Sequence, residues 1–271
     1  MNNTFSIKRF VTYLLHDMRT AVADSGLSLL IIGAMPLFQY FIPQAFALVF
    51  KGSAFSMGDM GKAPAYITAF LLASIIFPTK HYGGLTDKKQ GSDWLMLPAS
   101  TLEKWFSMLL VTCVAVPAFL LAELAATDGL MSLCFSGTYG ATAISGIVSA
   151  MQKVWAQMNI EGVGGIAITW PAAMWLSWCE CVLFFTTGAI FFKKSKIGKT
   201  FLAAFVLGML ISLVTIAVMR AIGLNGIHID TTDFNEMRFI RSMNVIVYMI
   251  YIVWFAVQDA VLYFRMKTLK H

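Results

Sequence analysis

The sequence predicts an all-α, polytopic membrane protein with six transmembrane helices. Three observations predict it. The first is composition: 58% of the 271 residues are hydrophobic and only 13% are charged, against about 25% charged in a soluble domain. So few charges cannot cover a solvated surface, and lipid is the solvent that fits. The second is the recurrence of apolar runs near the length of about 20 residues that a spanning helix needs. The third is where the basic residues fall between those runs.

The chain opens on an amphipathic segment, residues 5–18. Ile7, Phe10, Val11, Leu14, Leu15 and Met18 recur at helical spacing, and Lys8, Arg9, Thr12, His16 and Asp17 take the other face. This is too polar to span, and it predicts an interfacial helix lying in the membrane plane. Six spans follow near 25–50, 63–79, 105–127, 166–192, 201–222 and 244–264. The first and fourth exceed a simple crossing. Pro36 and Pro43 give the first a reason to kink, and Pro171 does so for the fourth.

Lys and Arg set the orientation. With both termini inside, 14 of the 20 Lys and Arg residues face the cytoplasm and 6 face outward. That asymmetry predicts an N-in, C-in topology. Residues 80–104 then form the sizeable cytoplasmic loop, and 128–165 an external connection. Within that connection, residues 129–150 carry no charge. As a seventh span they would send the basic "KKSKIGK" segment outside, so they are expected to be a re-entrant or surface-lying stretch.

Cys113, Cys134, Cys179 and Cys181 show neither a disulfide framework nor a zinc spacing, and read as small buried hydrophobes. "IGKTF" at 197–201 imitates part of a phosphate-binding loop. The full pattern needs a glycine where Lys193 stands, and a strand before it. With no P-loop and no protease or hydrolase signature, the chain is not expected to be an enzyme. His228, Asp230, Asp233 and Glu236 cluster in "HIDTTDFNE". Asp233 with Glu236 reads as a helix N-terminal cap rather than a metal site. No metal, cofactor or nucleic acid is expected.

Three carboxylates fall within the expected spans: Glu123, Glu180 and Asp259. Such groups are costly there, about 2.5–3.5 kcal/mol on insertion scales, and tend to mark pathways or relays. Glu180, near mid-helix in "WLSWCECVLFF", suits a polar lining or an ion-coupled switch as well as a hydrogen bond between helices. For Glu123 and Asp259 the helix-joining role is the better reading. Trp170, Trp175 and Trp178 share the same helix. Trp170 and Trp178 face similarly and Trp175 projects elsewhere; contact with lipid or helix is the better reading, an aromatic ligand pocket the alternative.

The loop 80–104 carries the densest local signalling, "GSDWLMLPASTLEKWFS". Ser100 and Glu103 make a Ser-x-x-Glu capping box at the start of the third span. Pro98 discourages helix across Ala99, and Trp94, Lys104 and Trp105 suit the headgroup level. The expected shape is a short surface helix, an elbow at Pro98, and a capped helix entering the membrane.

Leu97-Pro98-Ala99-Ser100, followed by Lys104 and a span, resembles the cytoplasmic loop after the second span of type-2 ABC exporter permeases. It is most similar to a group of about this length from Bacteroidetes-like bacteria with an "LPAS–LEK" segment, although Thr101 stands where many relatives carry Arg. Six spans and an amphipathic helix before the first agree with that family's architecture. The resemblance implies a permease subunit of the bacterial inner membrane, working as a homo- or heterodimer with a separate ATPase subunit. Trp94, Pro98, Ser100, Glu103 and Lys104 would form the ATPase-coupling loop, and the helix at 5–18 would lie against the ATPase as well. A membrane scaffold or sensor partner, and an intramembrane enzyme built on Glu180 and Asp259, are the competing expectations.

Overall fold

The computed structural model describes residues 5–57, 59–86, 91, 94, 96–144, 146, 148–149, 170–221 and 236–268. Every regular element among them is helical. The long helices are α1 (Ile7–Gly33), α2 (Met35–Lys51), α3 (Asp59–His81), α4 (Thr101–Leu110), α5 (Val116–Cys134), α6 (Trp170–Phe191), α7 (Lys196–Ala221) and α8 (Glu236–Lys267). A 3₁₀ turn (Gly83–Thr86) follows α3, and a π-helical turn (Val111–Ala115) joins α4 to α5. The "HIDTTDFNE" cluster apart from Glu236, and residues 150–165 of the expected external connection, lie outside the described residues.

The protein is an all-α bundle of the polytopic kind. Four stretches are long and apolar enough to cross a membrane: Ile7–Lys51, Gly61–Thr86, Thr101–Cys134 and Lys196–Val214. Trp175–Phe191 is apolar but shorter. Thr101–Cys134 is 34 residues long, about 51 Å at 1.5 Å per residue. That exceeds a hydrocarbon core of about 30 Å, so its ends project beyond the expected span at 105–127.

The first run differs from expectation in where it breaks. The segment at 5–18 is not a separate helix, because α1 continues through it as 27 residues. Residues 19–24 hold neither Pro nor Gly to stop it. The break comes at Ala34, where Pro36 opens α2 and brings no backbone N–H to the ladder. Pro43 sits inside α2, which continues past it.

The faces of α1 also differ from expectation. Phe10, Tyr13, Asp17, Ala21, Ser25, Leu29 and Ile32 form the buried stripe. Ile7, Val11, Leu15, Met18 and Val22 are exposed. The outward apolar stripe is suited to lipid, while the inward stripe carries a carboxylate. Ala65, Ala69 and Ala73 on α3 are buried and leave room for α1 and α6 to pack against that helix.

Residues after Thr127 continue α5 to Cys134 and then fold back. Gly140, at φ 77°, makes the reversal that a side chain disfavours. Tyr139 and Ala143 are buried. The Tyr139 hydroxyl donates to Asp128 Oδ1 (2.6 Å), Lys62 Nζ donates to the Ala141 carbonyl (2.6 Å), and Met57 N–H donates to the Thr138 carbonyl (2.9 Å). This returning segment closes the bundle at the end of α3 that begins with Asp59; the loop with Pro98 lies toward the other end.

Candidate functional site

The site is built on the start of α4. Ser100 has an extended backbone, and its hydroxyl accepts from Glu103 N–H (3.2 Å). Glu103 Oε2 accepts from Ser100 N–H (2.7 Å), which completes the expected capping box. The other oxygen does something sequence reasoning missed. Glu103 Oε1 accepts from Ser6 N–H (2.7 Å) and from Arg9 Nη2 (3.1 Å). Ser6 is the N-cap of α1, and its own side chain caps nothing. One carboxylate, 0% exposed, therefore serves the first residues of two helices. Burial alone would push its pKa up. The backbone N–H groups of Ser100 and Ser6, and then Arg9, more than offset that and hold it below the usual carboxylate range.

The elbow is clipped to α1 from its other side. Lys104 Nζ donates to the Trp94 carbonyl (2.7 Å) and lies 4.4 Å from the centre of the Trp94 ring. Trp94 Nε1 donates to the Tyr13 hydroxyl (3.0 Å). Gly91, Trp94 and Met96 are helical, in keeping with the expected surface turn. Pro98 is exposed, and Met96, at 79% exposure, projects from the same short stretch.

One turn further in, a polar network joins three helices. Asp17 Oδ2 accepts from the Ser107 hydroxyl (2.7 Å) and the Tyr82 hydroxyl (3.3 Å). Asp17 Oδ1 lies 3.1 Å from His81 Nε2, and His81 Nδ1 lies 3.0 Å from Asp24 Oδ2. A neutral imidazole has one N–H, whereas here both ring nitrogens face carboxylates, so the doubly protonated ring satisfies both contacts. Burial would lower the His81 pKa, but the hydrogen bond and charge of Asp17, and then those of Asp24, raise it above its ordinary value. Helical spacing alone puts Asp17 on the polar face of an interfacial helix and gives His81 no role. The available signal was that Asp17 and Asp24, seven apart, share one helix face.

The expected spans hold a second arrangement, where α4 passes into α5. Val116 N–H bonds to the Val111 carbonyl, five residues back. That leaves the Thr112 carbonyl free. Pro117 has no N–H to offer the Cys113 carbonyl. Two indoles fill both vacancies: Trp178 Nε1 donates to Thr112 O (3.0 Å) and Trp175 Nε1 to Cys113 O (2.7 Å). Trp175 and Trp178 thus reach the same turn instead of projecting apart. Trp170's side chain lies outside the described residues.

The three intramembrane carboxylates do not share a site. Glu123 packs on Gly33 at the α1–α2 break, where a Cβ would lie 2.1 Å from its carboxyl carbon. Glu180 stands on α6. Asp259, on α8, is within electrostatic reach of Cys113 and Cys179. Each keeps one buried oxygen without a hydrogen-bond partner among the described residues: Glu123 Oε2, Glu180 Oε1 and Asp259 Oδ1. Cys113 and Cys179 are buried, as expected, whereas Cys134 is exposed. Among the described residues, no three His, Cys, Asp or Glu side chains converge to hold a metal ion.

Comparison with family models, with curated proteins and with solved structures finds no match. The class that the bundle itself defines is an all-α protein with several membrane-length apolar helices.

Proposed function

We propose that this chain is the membrane-spanning permease subunit of an ABC-type exporter in a bacterial inner membrane, coupled to a separate ATPase subunit. The observation that carries the reading is the double use of Glu103. Its carboxylate holds the elbow residue Ser100 and the α1 residue Ser6 together (2.7 Å each). These are the two segments that the family resemblance assigns to contact with the ATPase. Force applied at the elbow would enter α4 and α1 as one body, because neither helix start moves without breaking a buried charge-assisted bond. Asp17 extends that body to α3 through His81 and to α4 through Ser107.

In this reading both termini are cytoplasmic, as the 14-to-6 distribution of Lys and Arg favours. A pathway forms between two such chains, identical or related. Met96 and Pro98 present the surface that the ATPase touches, since both are exposed at the elbow. The test is co-purification with a P-loop ATPase subunit encoded beside this chain's gene, whose absence there would itself count against the proposal. Met96→Glu with Pro98→Ser should abolish the complex and leave the permease folded, because both side chains are outside the polar network. A permease that never forms a complex with that ATPase, or a complex unchanged by the double substitution, would overturn the proposal.

A further inference from the structure

The turn between α6 and α7 carries a cluster of cations with no carboxylate partner among the described residues. Lys193, Lys194 and Lys199 are exposed. Arg265, from the last turn of α8, joins them from a distant part of the chain. Its guanidinium carbon lies 5.3 Å from the centre of the Phe191 ring, and Lys199 Nζ lies 6.0 Å from that of Phe192. Among the described residues, none of these four cations has a carboxylate partner. The Arg265 Nε is buried with no acceptor among the described residues.

Several other lysines are tied into the protein. Lys62 and Lys104 each donate to a backbone carbonyl, and Lys80 donates to Ser28. Lys196, in the same turn, donates to the Gly83 carbonyl and so anchors the turn to the bundle. The remaining cations of the turn are held out from the protein on a fixed base.

Directly beneath them the surface turns apolar. Phe191 is 54% exposed. Along α7, Phe201, Leu202 and Phe205 are exposed, and only 6% of the apolar stretch Lys196–Val214 is buried. The arrangement is therefore a cluster of cations above an aromatic shelf and a bare apolar helix. Each part suits one end of the same molecule. Cations near a membrane surface attract anionic headgroups, and an unpacked apolar helix face is in contact with acyl chains.

We propose that Lys193, Lys194, Lys199 and Arg265 form a binding site for the headgroup of an anionic phospholipid whose acyl chains lie along Phe191 and the exposed face of α7. The site does not depend on the exporter reading. It needs only that α7 lies in lipid.

The experiment uses the purified full-length protein in neutral detergent, with phosphatidylglycerol or phosphatidylcholine added and lipid retention read by native mass spectrometry. Phosphatidylglycerol should be retained in preference to phosphatidylcholine. Each cation removed should weaken that preference about fivefold, so Lys193→Gln/Lys194→Gln/Lys199→Gln should nearly erase it. Lys51→Gln, at the end of α2, should leave it unchanged. These lysines are exposed, so the triple variant keeps its fold, which circular dichroism checks. Inorganic phosphate at equal concentration should not displace the lipid. Equal retention of the two lipids, an unchanged preference in the triple variant, or displacement by free phosphate would each overturn the proposal.

Discussion

Glu103→Gln is the sharpest perturbation of the elbow, because it keeps shape and removes one acceptor. The wild-type carboxylate accepts from Ser100 N–H and Ser6 N–H at 2.7 Å and from Arg9 at 3.1 Å. A glutamine amide has only one oxygen. Whichever way it turns, one backbone N–H faces an NH₂ group and loses its acceptor in a buried site. An unsatisfied buried donor costs about 1–3 kcal/mol, and hydrogen bonds to a charged acceptor are worth about 1.5–3 kcal/mol. The substitution should therefore destabilise by about 2–4 kcal/mol. Ser100→Ala removes only the longer cap bond and should cost about 1 kcal/mol. Arg9→Gln should cost less than about 1 kcal/mol, since the Arg9 side chain is 38% exposed and water screens the pair. Unfolding by sodium dodecyl sulfate in mixed micelles, followed by circular dichroism, measures all three. A second reading comes from trypsin, which should cut at Lys8 and Arg9 faster in Glu103→Gln as the start of α1 frays. If Glu103→Gln costs no more than Arg9→Gln, the carboxylate does not join the two helices and the reasoning fails.

Two further outcomes follow from the geometry around α1. His81 is faced by Asp17 and Asp24 from α1, with Tyr13 and Tyr82 near Asp17 and Lys80 adjacent in sequence. Its folded pKa is raised, so its stabilisation is complete below the unfolded value of about 6.5 and fades as pH rises through the higher folded value. The penalty of His81→Gln should shrink as pH rises across that window, and a penalty constant with pH would contradict the bridging imidazolium. At the helix break, Gly33→Ala would place a Cβ 2.1 Å from the Glu123 carboxyl carbon. The crowding should cost about 1–3 kcal/mol, and Glu123→Ala should recover most of it. A double-mutant cycle that is simply additive would show that the two residues do not meet.

The extent to which this fold was legible in the sequence follows from the range of the interactions. Apolar runs are local, so the membrane class and most helix positions could be read directly. The Ser100–Glu103 box is also local, three residues apart, and its geometry is as expected. What helical spacing cannot reveal is which face meets the bundle. Its polar neighbours place Asp17 on the polar face of an interfacial helix. It is buried because His81, Tyr82 and Ser107 come to it from 64, 65 and 90 residues away. The second oxygen of Glu103 was hidden for the same reason, since Ser6 lies 97 residues off. The π-helical turn also has a local signal. Pro117 has no N–H for Cys113 O, which therefore needs a donor from another helix, and tryptophans at 175 and 178 are aromatic donors at one-turn spacing.

The polar atoms of this bundle are satisfied unequally, and that contrast bears on how it would move. At the elbow end, Glu103 and Asp17 spend every available oxygen on α1, α3 and α4. Interactions this connected resist stepwise opening, because releasing one helix strands buried partners on the others. Within the expected spans the carboxylates of Glu123, Glu180 and Asp259 each keep an oxygen unpartnered among the described residues. Buried acceptors without donors favour any neighbouring arrangement that supplies one. A push at Met96 and Pro98 would thus meet a stiff end and a bundle interior with unused hydrogen-bonding capacity. The helix shift that follows should be carried by α1 and α4 together. Under the proposed coupling, its second resting place should be the one in which Glu123, beside the α1–α2 break, gains a donor for the oxygen left unpartnered among the described residues.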